Sequence, residues 1–392
     1  MQRVIIFATT YFPLVGGAEV AMKEITDRLP NWQFDLFCAR IQPGLKSVEK
    51  IGNITVHRVG FGHPIDKYLL PVFGPLAALC LPPTTYNLQP VLVWSLMASY
   101  GGFAALVYSW LRPGVRFLLT LQEGDPLEHY AKRAGRLEFL HKRIFQRADA
   151  VQAISRFLAE WAVRMGFKGT PAVIPNGVDI EKFAKRISPA RRQELRTKLG
   201  LAEGDLALVT ASRLSLKNGV DDLIRALNHL GVHYKVIIAG DGEDRDKLRV
   251  LAEQKGLAER VKFLGSKGHD KLPEILQACD IFIRPSLSEG LGNAFLEAIA
   301  AGLPIIGTPV GGIPDFLLDG HTGVFCQVRN PESIAQAVMR IQTEPGLRDR
   351  LTAQSLVLVR AKYDWDKIAQ QMDELLNKMT SDAGRRTPNQ KL

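Results

Sequence analysis

The stretch DIFIRPSLSEGLGNAFLEAIAAGLPIIGT (280–308) places a glycine-rich loop and a helical pattern between two short apolar runs. The first run, DIFIRPS (280–286), is typical of a buried strand, and the helix AFLEAIAAG (294–302) is stopped by glycine and proline. The second run, PIIGT (304–308), predicts the next strand. A strand, a helix and a strand in this order indicate a parallel sheet that is covered by helices.

The same alternation extends through the rest of the chain. Seven apolar runs before residue 181 predict strands at 3–9, 34–39, 54–59, 91–95, 115–120, 150–155 and 172–177. After a basic connector (181–200), six more runs predict strands at 206–212, 234–240, 260–265, 280–286, 304–308 and 322–327. We therefore predict an α/β protein of two doubly wound, Rossmann-like domains, with the active site in the cleft between them.

The length of the chain agrees with two domains, and its charge indicates which kind of partner it binds. A chain of 392 residues exceeds one ordinary core and suggests two domains of roughly 150 to 200 residues. The net charge of +10 favours anionic partners, but it is spread along the chain, so we expect no nucleic acid partner. The four cysteines lie far apart and form no CxxC pair, which predicts reduced thiols in a cytoplasmic protein.

Two stretches raise the question of a membrane. Residues 91–111 are apolar enough to suggest a span, but serines and a Gly-Gly pair divide them into a buried strand and a buried helix. Residues 128–147 interleave six basic side chains with leucine, isoleucine and phenylalanine. This second stretch predicts either peripheral contact with the inner face of an anionic membrane or a helix with one solvated side.

The loop of the opening stretch has features of an anion site. Gly290 and Gly292 permit close approach of the backbone, and the helix that follows presents free amides and a positive dipole. Arg213 and Lys217 follow the strand 206–212 and suit a diphosphate, because one offers a planar fork and the other a point charge. A dinucleotide fingerprint and a Walker loop are both absent, so oxidoreductase and P-loop chemistry are disfavoured.

The order of the motifs resembles glycosyltransferase family 4, whose members are retaining enzymes of the GT-B fold. Seven motifs occur in the family's order and span nearly the whole chain. They are YFPLVGGAE (11–19), IPNGVD (174–179), SRLSLKNGVDDLI (212–224), AGDGED (239–244), PSLSEGLGNAFLEAIAAGLPII (285–306), PVGGIPDFLLDGHTG (309–323) and YDWDKIA (363–369).

The resemblance implies a role for each part of the chain. It implies an acceptor-binding domain (1–180), a donor domain (181–363) that binds a UDP-, GDP- or ADP-sugar, and a terminal helix (364–380) that returns to the first domain. Residues 381–392 are polar and predict a disordered tail. No metal or other cofactor is implied, since the DxD pairs at 244–246 and 364–366 resemble solvated acids at helix starts.

The site residues follow from the same resemblance. Arg213 and Lys217 would bind the diphosphate, while Glu289 would hold hydroxyls of the donor sugar and Glu297 those of the ribose. The amides of Gly290, Leu291, Gly292 and Asn293 would support sugar and phosphate. The base would lie against Gly265 to Lys267, and Gly16 and Gly17 of the first domain would close over the phosphates.

One residue departs from the family's pattern. Gln122, in LLTLQEGDP (118–126), stands where the family commonly has a histidine that approaches the donor sugar. A glutamine can hydrogen-bond but cannot titrate near neutral pH. Either the role is hydrogen bonding alone, or Glu123 or Asp125 replaces the histidine, or activity is weak; His129 is a less favoured substitute.

Three functions therefore remain open at this point. The first is a metal-independent retaining glycosyltransferase with an unknown acceptor. The second is a GT-B epimerase or hydrolase of nucleotide sugars, and the third is a non-catalytic protein that binds them. Glu289 and Glu297 are eight positions apart, with one in the loop and one inside the helix. We therefore expect them to hold different parts of one ligand and not to form an acid and base pair.

Overall fold

The computed structural model describes residues 2–81, 89–126 and 138–381, and the chain divides into two compact units. Unit 1 takes the chain as far as Asn176 and resumes at Trp365. Unit 2 is continuous from Gly177 to Asp364. The boundaries predicted from the sequence, at residues 180 and 363, lie within a few residues of these.

Unit 1 is built on an eight-stranded sheet with the order β3-β4-β2-β1-β5-β6-β7-β8. All neighbouring pairs are parallel except β3 with β4, which are antiparallel at one edge. The central strands are almost wholly buried, because their continuous apolar side chains are covered on both faces. The strands are β1 Gln2–Phe7, β2 Trp32–Ala39, β3 Val48–Ile51, β4 Ile54–Val59, β5 Pro90–Leu96, β6 Arg116–Leu121, β7 Ala150–Ala153 and β8 Ala172–Val173.

Within the residues that the structure describes, five helices connect the strands of unit 1. The apolar stretch 91–111 is divided as predicted, into β5 and a helix that starts at Tyr100. Among the described residues, no helix has the length and apolar character needed to cross a membrane. The helices are α1 Gly17–Asp27, α2 Asp66–Leu79, α3 Tyr100–Leu111, α4 Glu138–Arg147 and α5 Arg156–Arg164.

Unit 2 repeats the design with a six-stranded parallel sheet in the order β11-β10-β9-β12-β13-β14. Its strands are β9 Leu206–Ala211, β10 Tyr234–Ala239, β11 Val261–Gly265, β12 Ile281–Arg284, β13 Ile305–Gly307 and β14 Val324–Phe325. Its helices are α6 Ile180–Ala184, α7 Pro189–Lys198, α8 Val220–Ala226, α9 Arg245–Gln254, α10 Leu272–Ala278, α11 Asn293–Ala300, α12 Pro331–Thr343 and α13 Leu347–Lys362.

The last helix, α14 Trp365–Ser381, belongs to unit 1 although it follows unit 2 in the chain. Its apolar face, which includes Ile368, Met372 and Leu376, is fully buried in the same core as β1, β2 and α1. A polar contact adds to this packing, because the indole N–H of Trp32 donates to a carboxylate oxygen of Asp373 at 2.6 Å.

Each sheet has one place where the strand order reverses direction. In unit 1 the chain builds outward from β1 through β2 and β4, then crosses to β5 on the other side of β1. In unit 2 it builds from β9 through β10 and β11, then crosses to β12 on the other side of β9. Ligands of α/β proteins bind beside such a switch point, at the carboxyl edge of the sheet.

Candidate functional site

Two loops meet at the switch point of unit 2. The loop after β9 carries Lys217, and the loop after β12 carries Leu287, whose amide donates to the carbonyl of Lys217 at 2.6 Å. Close packing accompanies this bond, because a Cβ on Gly219 would overlap the carbonyl oxygen of Pro285. Gly219 also has a φ of 65°, a conformation in which glycine is favoured. The two loops therefore form one fixed edge at the carboxyl ends of β9 and β12.

Arg213 and Lys217, the predicted diphosphate ligands, both lie on this edge. The Arg213 side chain is 74% exposed, and its guanidinium lies 3.0 Å from a carboxylate oxygen of Glu243 in the loop after β10. Lys217 is half-buried in the middle of the short 3₁₀ helix Leu216–Asn218. An exposed ion pair of this kind contributes at most about 1 kcal/mol, so an anionic ligand can displace Glu243 from Arg213.

The helix α11 starts at the same edge. Gly292 caps it with a φ of 98°, which turns the chain sharply from the loop into the helix. The backbone before it is fixed as well, since the amide of Gly312 donates to the carbonyl of Glu289 at 3.1 Å. Gly290 and Leu291 are buried and Asn293 is half-buried. The first amides of α11 thus supply a fixed positive dipole at the end of the loop after β12.

Glu289 forms an ion pair at this edge with a residue that was not predicted from the sequence. A carboxylate oxygen of Glu289 lies 2.5 Å from Arg284 at the end of β12, and both side chains are mostly buried. The same guanidinium donates to the amide oxygen of Asn218 at 2.8 Å, so it joins the loops after β9 and β12. The amide of Gly290 also donates to Glu289 at 3.2 Å. Glu289 is thus oriented before any ligand binds.

Glu297, one turn inside α11, is connected to the loop after β11. Its carboxylate lies 3.1 Å from the imidazole of His269, with the Glu297 side chain mostly buried and the His269 side chain more exposed. Gly265 ends β11 with a φ of 72°, and Lys267 is half-buried just after it. Although β11 is the outermost strand on its side, the contact of His269 brings its loop back to α11. The predicted base and ribose positions therefore lie along one surface of unit 2.

Gly16 and Gly17 lie in unit 1, at the start of α1. Both are exposed, and the Gly16 amide donates to a carboxylate oxygen of Glu19 at 2.8 Å. Burial raises the pKa of Glu19 above its ordinary value. At the switch point beside them, the hydroxyls of Thr9 and Ser99 are 2.9 Å apart and tie the loop after β1 to the loop after β5.

Gln122 lies after β6, and its side-chain oxygen accepts a hydrogen bond from the amide nitrogen of Asn176 at 3.0 Å. Asn176 is buried and was not assigned a role from the sequence, although it lies in the IPNGVD motif. Asp125, one of the proposed replacements for the family's histidine, is half-buried. His129 lies outside the described residues.

Glu123, the other proposed replacement, is buried between the loop after β5 and the loop after β6. Its carboxylate is buried and accepts a hydrogen bond from the Ala98 amide at 2.7 Å, while its second oxygen has no hydrogen-bond partner. Burial raises the pKa of Glu123 to about 7. The carbonyl of Ala98 is 2.8 Å from the buried His141 ring, whose pKa burial lowers. Glu123 therefore holds the loop after β5 against the loop after β6.

One member of each acidic pair that resembles a metal motif is engaged in an ion pair. Asp244 precedes α9 and lies 2.7 Å from Lys247, and Asp366 in α14 lies 2.7 Å from Arg28. Within the parts of the chain that the structure describes, no group of three or more histidine, cysteine or acidic side chains is arranged to hold a metal. All four cysteines are free thiols.

Part of the basic stretch 128–147 lies outside the described residues, namely 128–137. The described part is α4, whose buried side chains include Ile144 and Phe145. Phe139 is exposed, and Lys142 lies 3.0 Å from Glu138. Membrane contact through this stretch stays a prediction.

Two Rossmann-like units, with a helix start and basic side chains at the switch point of the second, are the architecture of the GT-B class of glycosyltransferases. Residues 15–182 match the family profile described as Glycosyltransferase Family 4, and residues 191–356 match the one described as Glycosyl transferases group 1. The chain belongs to glycosyltransferase family 4 and has the GT-B fold, as its motifs predict.

Individual relatives agree with this assignment. An uncharacterised glycosyltransferase of Methanocaldococcus jannaschii is 32% identical over 51% of this chain and 52% of its own length. A GDP-mannose-dependent α-(1-6)-phosphatidylinositol monomannoside mannosyltransferase of Mycobacterium tuberculosis is 32% identical over 60% of this chain and 63% of its own. The chain thus spans about half to two thirds of the length of these two relatives.

A solved structure supports the fold along the whole chain. HepE from Anabaena, in complex with UDP-glucose, is 20% identical and superposes with a TM-score of 0.81. The superposition covers 96% of this chain and all of that one.

Proposed function

We propose that this chain is a retaining, metal-independent glycosyltransferase that moves a sugar from a nucleoside-diphosphate sugar to an acceptor. The observation that carries the proposal is the edge at the switch point of unit 2. There the loop with Arg213 and Lys217 is hydrogen-bonded to the loop that leads into α11. This edge combines two cations with a helix dipole, which is the electrostatic environment that a departing diphosphate requires.

The difficult step is the departure of the sugar from the diphosphate through an oxocarbenium-like state. Negative charge then grows on the leaving phosphate, so fixed positive groups lower the barrier most. Lys217 and Arg213 supply that charge, and the amides of Gly290 to Asn293 add the dipole of α11. Retention would follow if the acceptor attacks from the face that the diphosphate leaves, with a phosphate oxygen taking the acceptor's proton.

The remaining residues hold the donor. Glu289, oriented by Arg284, accepts hydrogen bonds from hydroxyls of the sugar, and Glu297 accepts those of the ribose. The base lies against Gly265 and Lys267. In unit 1, the side chain of Gln122 is held by Asn176 and can act by hydrogen bonding alone.

The relatives suggest the range of donors. The mycobacterial relative is named for GDP-mannose and the Anabaena structure contains UDP-glucose. We propose a UDP-, GDP- or ADP-sugar for this chain, and the acceptor is a glycan, a lipid-linked sugar or a small molecule. Thermal-shift screening against a panel of nucleotide sugars identifies the donor, because a bound ligand raises the unfolding temperature.

Lys217→Ala and Glu297→Ala test the division of labour once the donor is known. Loss of a group that acts on the leaving charge should lower kcat by about 100-fold or more. Loss of a group that only holds the ribose should mainly raise KM, because it binds ground state and transition state alike. Steady-state kinetics of both variants decide the point, and a larger fall in kcat for Glu297→Ala would refute the assignment.

Donor turnover without an acceptor separates the proposal from its alternatives. Slow release of nucleoside diphosphate is expected for a transferase, whereas a changed sugar would indicate an epimerase. Binding without any turnover would indicate a non-catalytic protein. Metal independence has its own test, since EDTA should leave transfer unchanged; loss restored by Mg²⁺ or Mn²⁺ would contradict it.

A further inference from the structure

Unit 1 exposes a row of large apolar side chains along α2 and the loop before it. Phe61, at 82% exposure, begins the row, and Ile65, Tyr68, Val72 and Leu76 follow it at intervals of three or four residues. We call this row the apolar stripe; its exposed members are Phe61, Ile65, Tyr68, Val72, Phe73 and Leu76. The other side of α2 is buried against β2 and α3, with Leu70 and Ala78 in the core. An isolated exposed leucine needs no explanation, but a continuous row of this length does.

The stripe continues onto α3. The rings of Tyr68 and Tyr100 meet edge to face, with centroids 5.2 Å apart, so the first turns of α2 and α3 lie side by side. Both helices follow parallel strands of one sheet and therefore run in the same direction. Their last turns are then also neighbours, and α3 ends with the exposed Trp110 and Leu111.

No exposed carboxylate is contributed by these elements. The sequence contains no aspartate or glutamate from Lys67 to Gln122. Asp66, which precedes that range, is fully buried and accepts hydrogen bonds from the amides of Phe61, Gly62 and His63. The charges that remain are cations, with Lys67 placed over the Tyr68 ring at 5.1 Å and Arg112 exposed just after α3.

The same contacts of Asp66 hold the loop before α2 in one conformation. Three amides converge on one carboxylate oxygen at 2.8 to 3.1 Å. Phe61 is therefore presented to the outside by a rigid loop, and little conformational entropy is lost when its ring is covered.

We propose that the apolar stripe, together with Trp110 and Leu111, is the surface by which unit 1 lies on a lipid bilayer. Aliphatic side chains flanked by tyrosine, tryptophan and cations suit the boundary between acyl chains and headgroups. The absence of carboxylates on these elements complements anionic headgroups. This surface is distinct from the basic stretch 128–147 and relies mainly on apolar burial, so its binding should survive moderate salt.

Phe61→Ser/Val72→Ser/Leu76→Ser in the full chain tests the proposal by co-sedimentation with vesicles of equimolar phosphatidylcholine and phosphatidylglycerol. Each change adds a polar group at an exposed site, so folding should be retained, as circular dichroism can verify. We expect at least a tenfold loss of vesicle binding. Val232→Ser/Val357→Ser, which alters two exposed valines of unit 2, is the matched control and should bind like the parent.

Tryptophan fluorescence locates the contact independently. Of the five tryptophans, Trp110 is exposed, whereas Trp32, Trp94, Trp161 and Trp365 are buried. Brominated phosphatidylcholine in the vesicles should therefore quench the parent protein, and Trp110→Phe should abolish the quenching while vesicle binding persists.

Four outcomes would overturn the proposal. The first is no sedimentation of the parent with the vesicles, and the second is equal binding of the triple variant. The third is a concentration-dependent dimer that the triple variant loses, without vesicle binding, since the stripe would then be an interface between copies of the chain. The fourth is vesicle binding that 0.3 M salt abolishes. The Debye length at this ionic strength is about 6 Å, so exposed charges are screened, and binding lost there would be electrostatic and not apolar.

Discussion

At the scale of single residues, Glu123 predicts a specific pH dependence of stability. Its buried site favours the neutral acid, and the pKa is raised from 4.5 to about 7. The stability that the neutral acid contributes is complete below pH 4.5 and is lost as the pH rises through 7. Between pH 4.5 and 8, Glu123→Gln should therefore gain up to about 3 kcal/mol in unfolding free energy relative to the parent.

Urea unfolding followed at several pH values measures this difference. Both proteins contain His141, whose lowered pKa acts in the opposite direction by removing stability as the pH falls. The difference in unfolding free energy between the parent and Glu123→Gln therefore reports on the Glu123 carboxyl. Glu160→Gln, at an exposed acid of the same unit, is the control and should show no such trend. A difference between Glu123→Gln and the parent that stays constant with pH would show that the carboxyl titrates normally.

Glu243 predicts how the donor site changes when a ligand arrives. Its carboxylate forms an ion pair with the Arg213 guanidinium at 3.0 Å, at the position where the proposed diphosphate would bind. Glu243→Gln removes this competing anion, so nucleoside diphosphate should bind about two- to fivefold more tightly, while stability changes by less than about 0.5 kcal/mol.

Calorimetric titration with the nucleoside diphosphate of the identified donor tests the effect of Glu243. Glu344→Gln is the matched control, because Glu344 also pairs with exposed arginines of unit 2 but lies in the loop between α12 and α13. Weaker binding by Glu243→Gln would mean that Glu243 orients Arg213 for the ligand and does not compete with it.

Sequence reasoning at this scale found residues by type and by motif, but it did not find their partners. Arg284, Asn218 and His269 each pair with a residue from a different loop or helix. Such pairs depend on which strands become neighbours, and the order β9 beside β12 is a property of the folded sheet. The position of Arg284 at the end of a predicted strand was the only signal available.

At the scale of elements, the apolar runs predicted the strands well where both faces are buried. The run 54–59 coincides with β4, and the others differ at their ends by a few residues. The edge strand β3 was missed because VEKI alternates exposed and half-buried side chains and has no apolar run. The predicted strand 172–177 stops at Val173 in the structure, because Pro175 lacks the N–H that a paired strand donates.

Gly292 predicts how strongly the start of α11 depends on its glycine. Its φ of 98° is unfavourable for alanine, and a Cβ there would lie 2.8 Å from the Phe295 ring. Gly292→Ala should therefore lower the unfolding free energy by about 1 to 3 kcal/mol. It should also weaken donor binding about tenfold, because the amides of the helix start would be displaced.

Thermal unfolding and donor titration of Gly292→Ala give both numbers. Gly200→Ala is the matched control, since Gly200 has a φ of 77° but a Cβ would meet no atom within 4 Å. The control should lose only the backbone contribution to stability and should keep its donor affinity. Equal donor affinity in Gly292→Ala and the parent would exclude the helix start from the site.

At the scale of the whole molecule, the chain leaves unit 1 at Asn176 and returns to it only at Trp365. Unit 2 is therefore an uninterrupted segment, whereas the core of unit 1 is complete only after α14 has been added. The motif YDWDKIA, at the junction, begins the returning helix. Unit 2 should accordingly be the more autonomous of the two units in folding.

A chain that ends at Asp364 tests this dependence. It lacks α14, whose buried side chains include Ile368, Met372 and Leu376, and it exposes the apolar faces of β2 and α1. Each lost aliphatic side chain accounts for about 2 kcal/mol or more, so their sum reaches the total stability of an ordinary domain. We expect unit 1 of the truncated chain to unfold or become protease-sensitive, while unit 2 retains its own thermal transition. Limited proteolysis with mass spectrometry distinguishes the two units. Gln370→Ala, an exposed change on α14, is the control and should leave both units resistant. A protease-resistant unit 1 without α14 would show that β1 to β8 and their helices suffice for a stable fold.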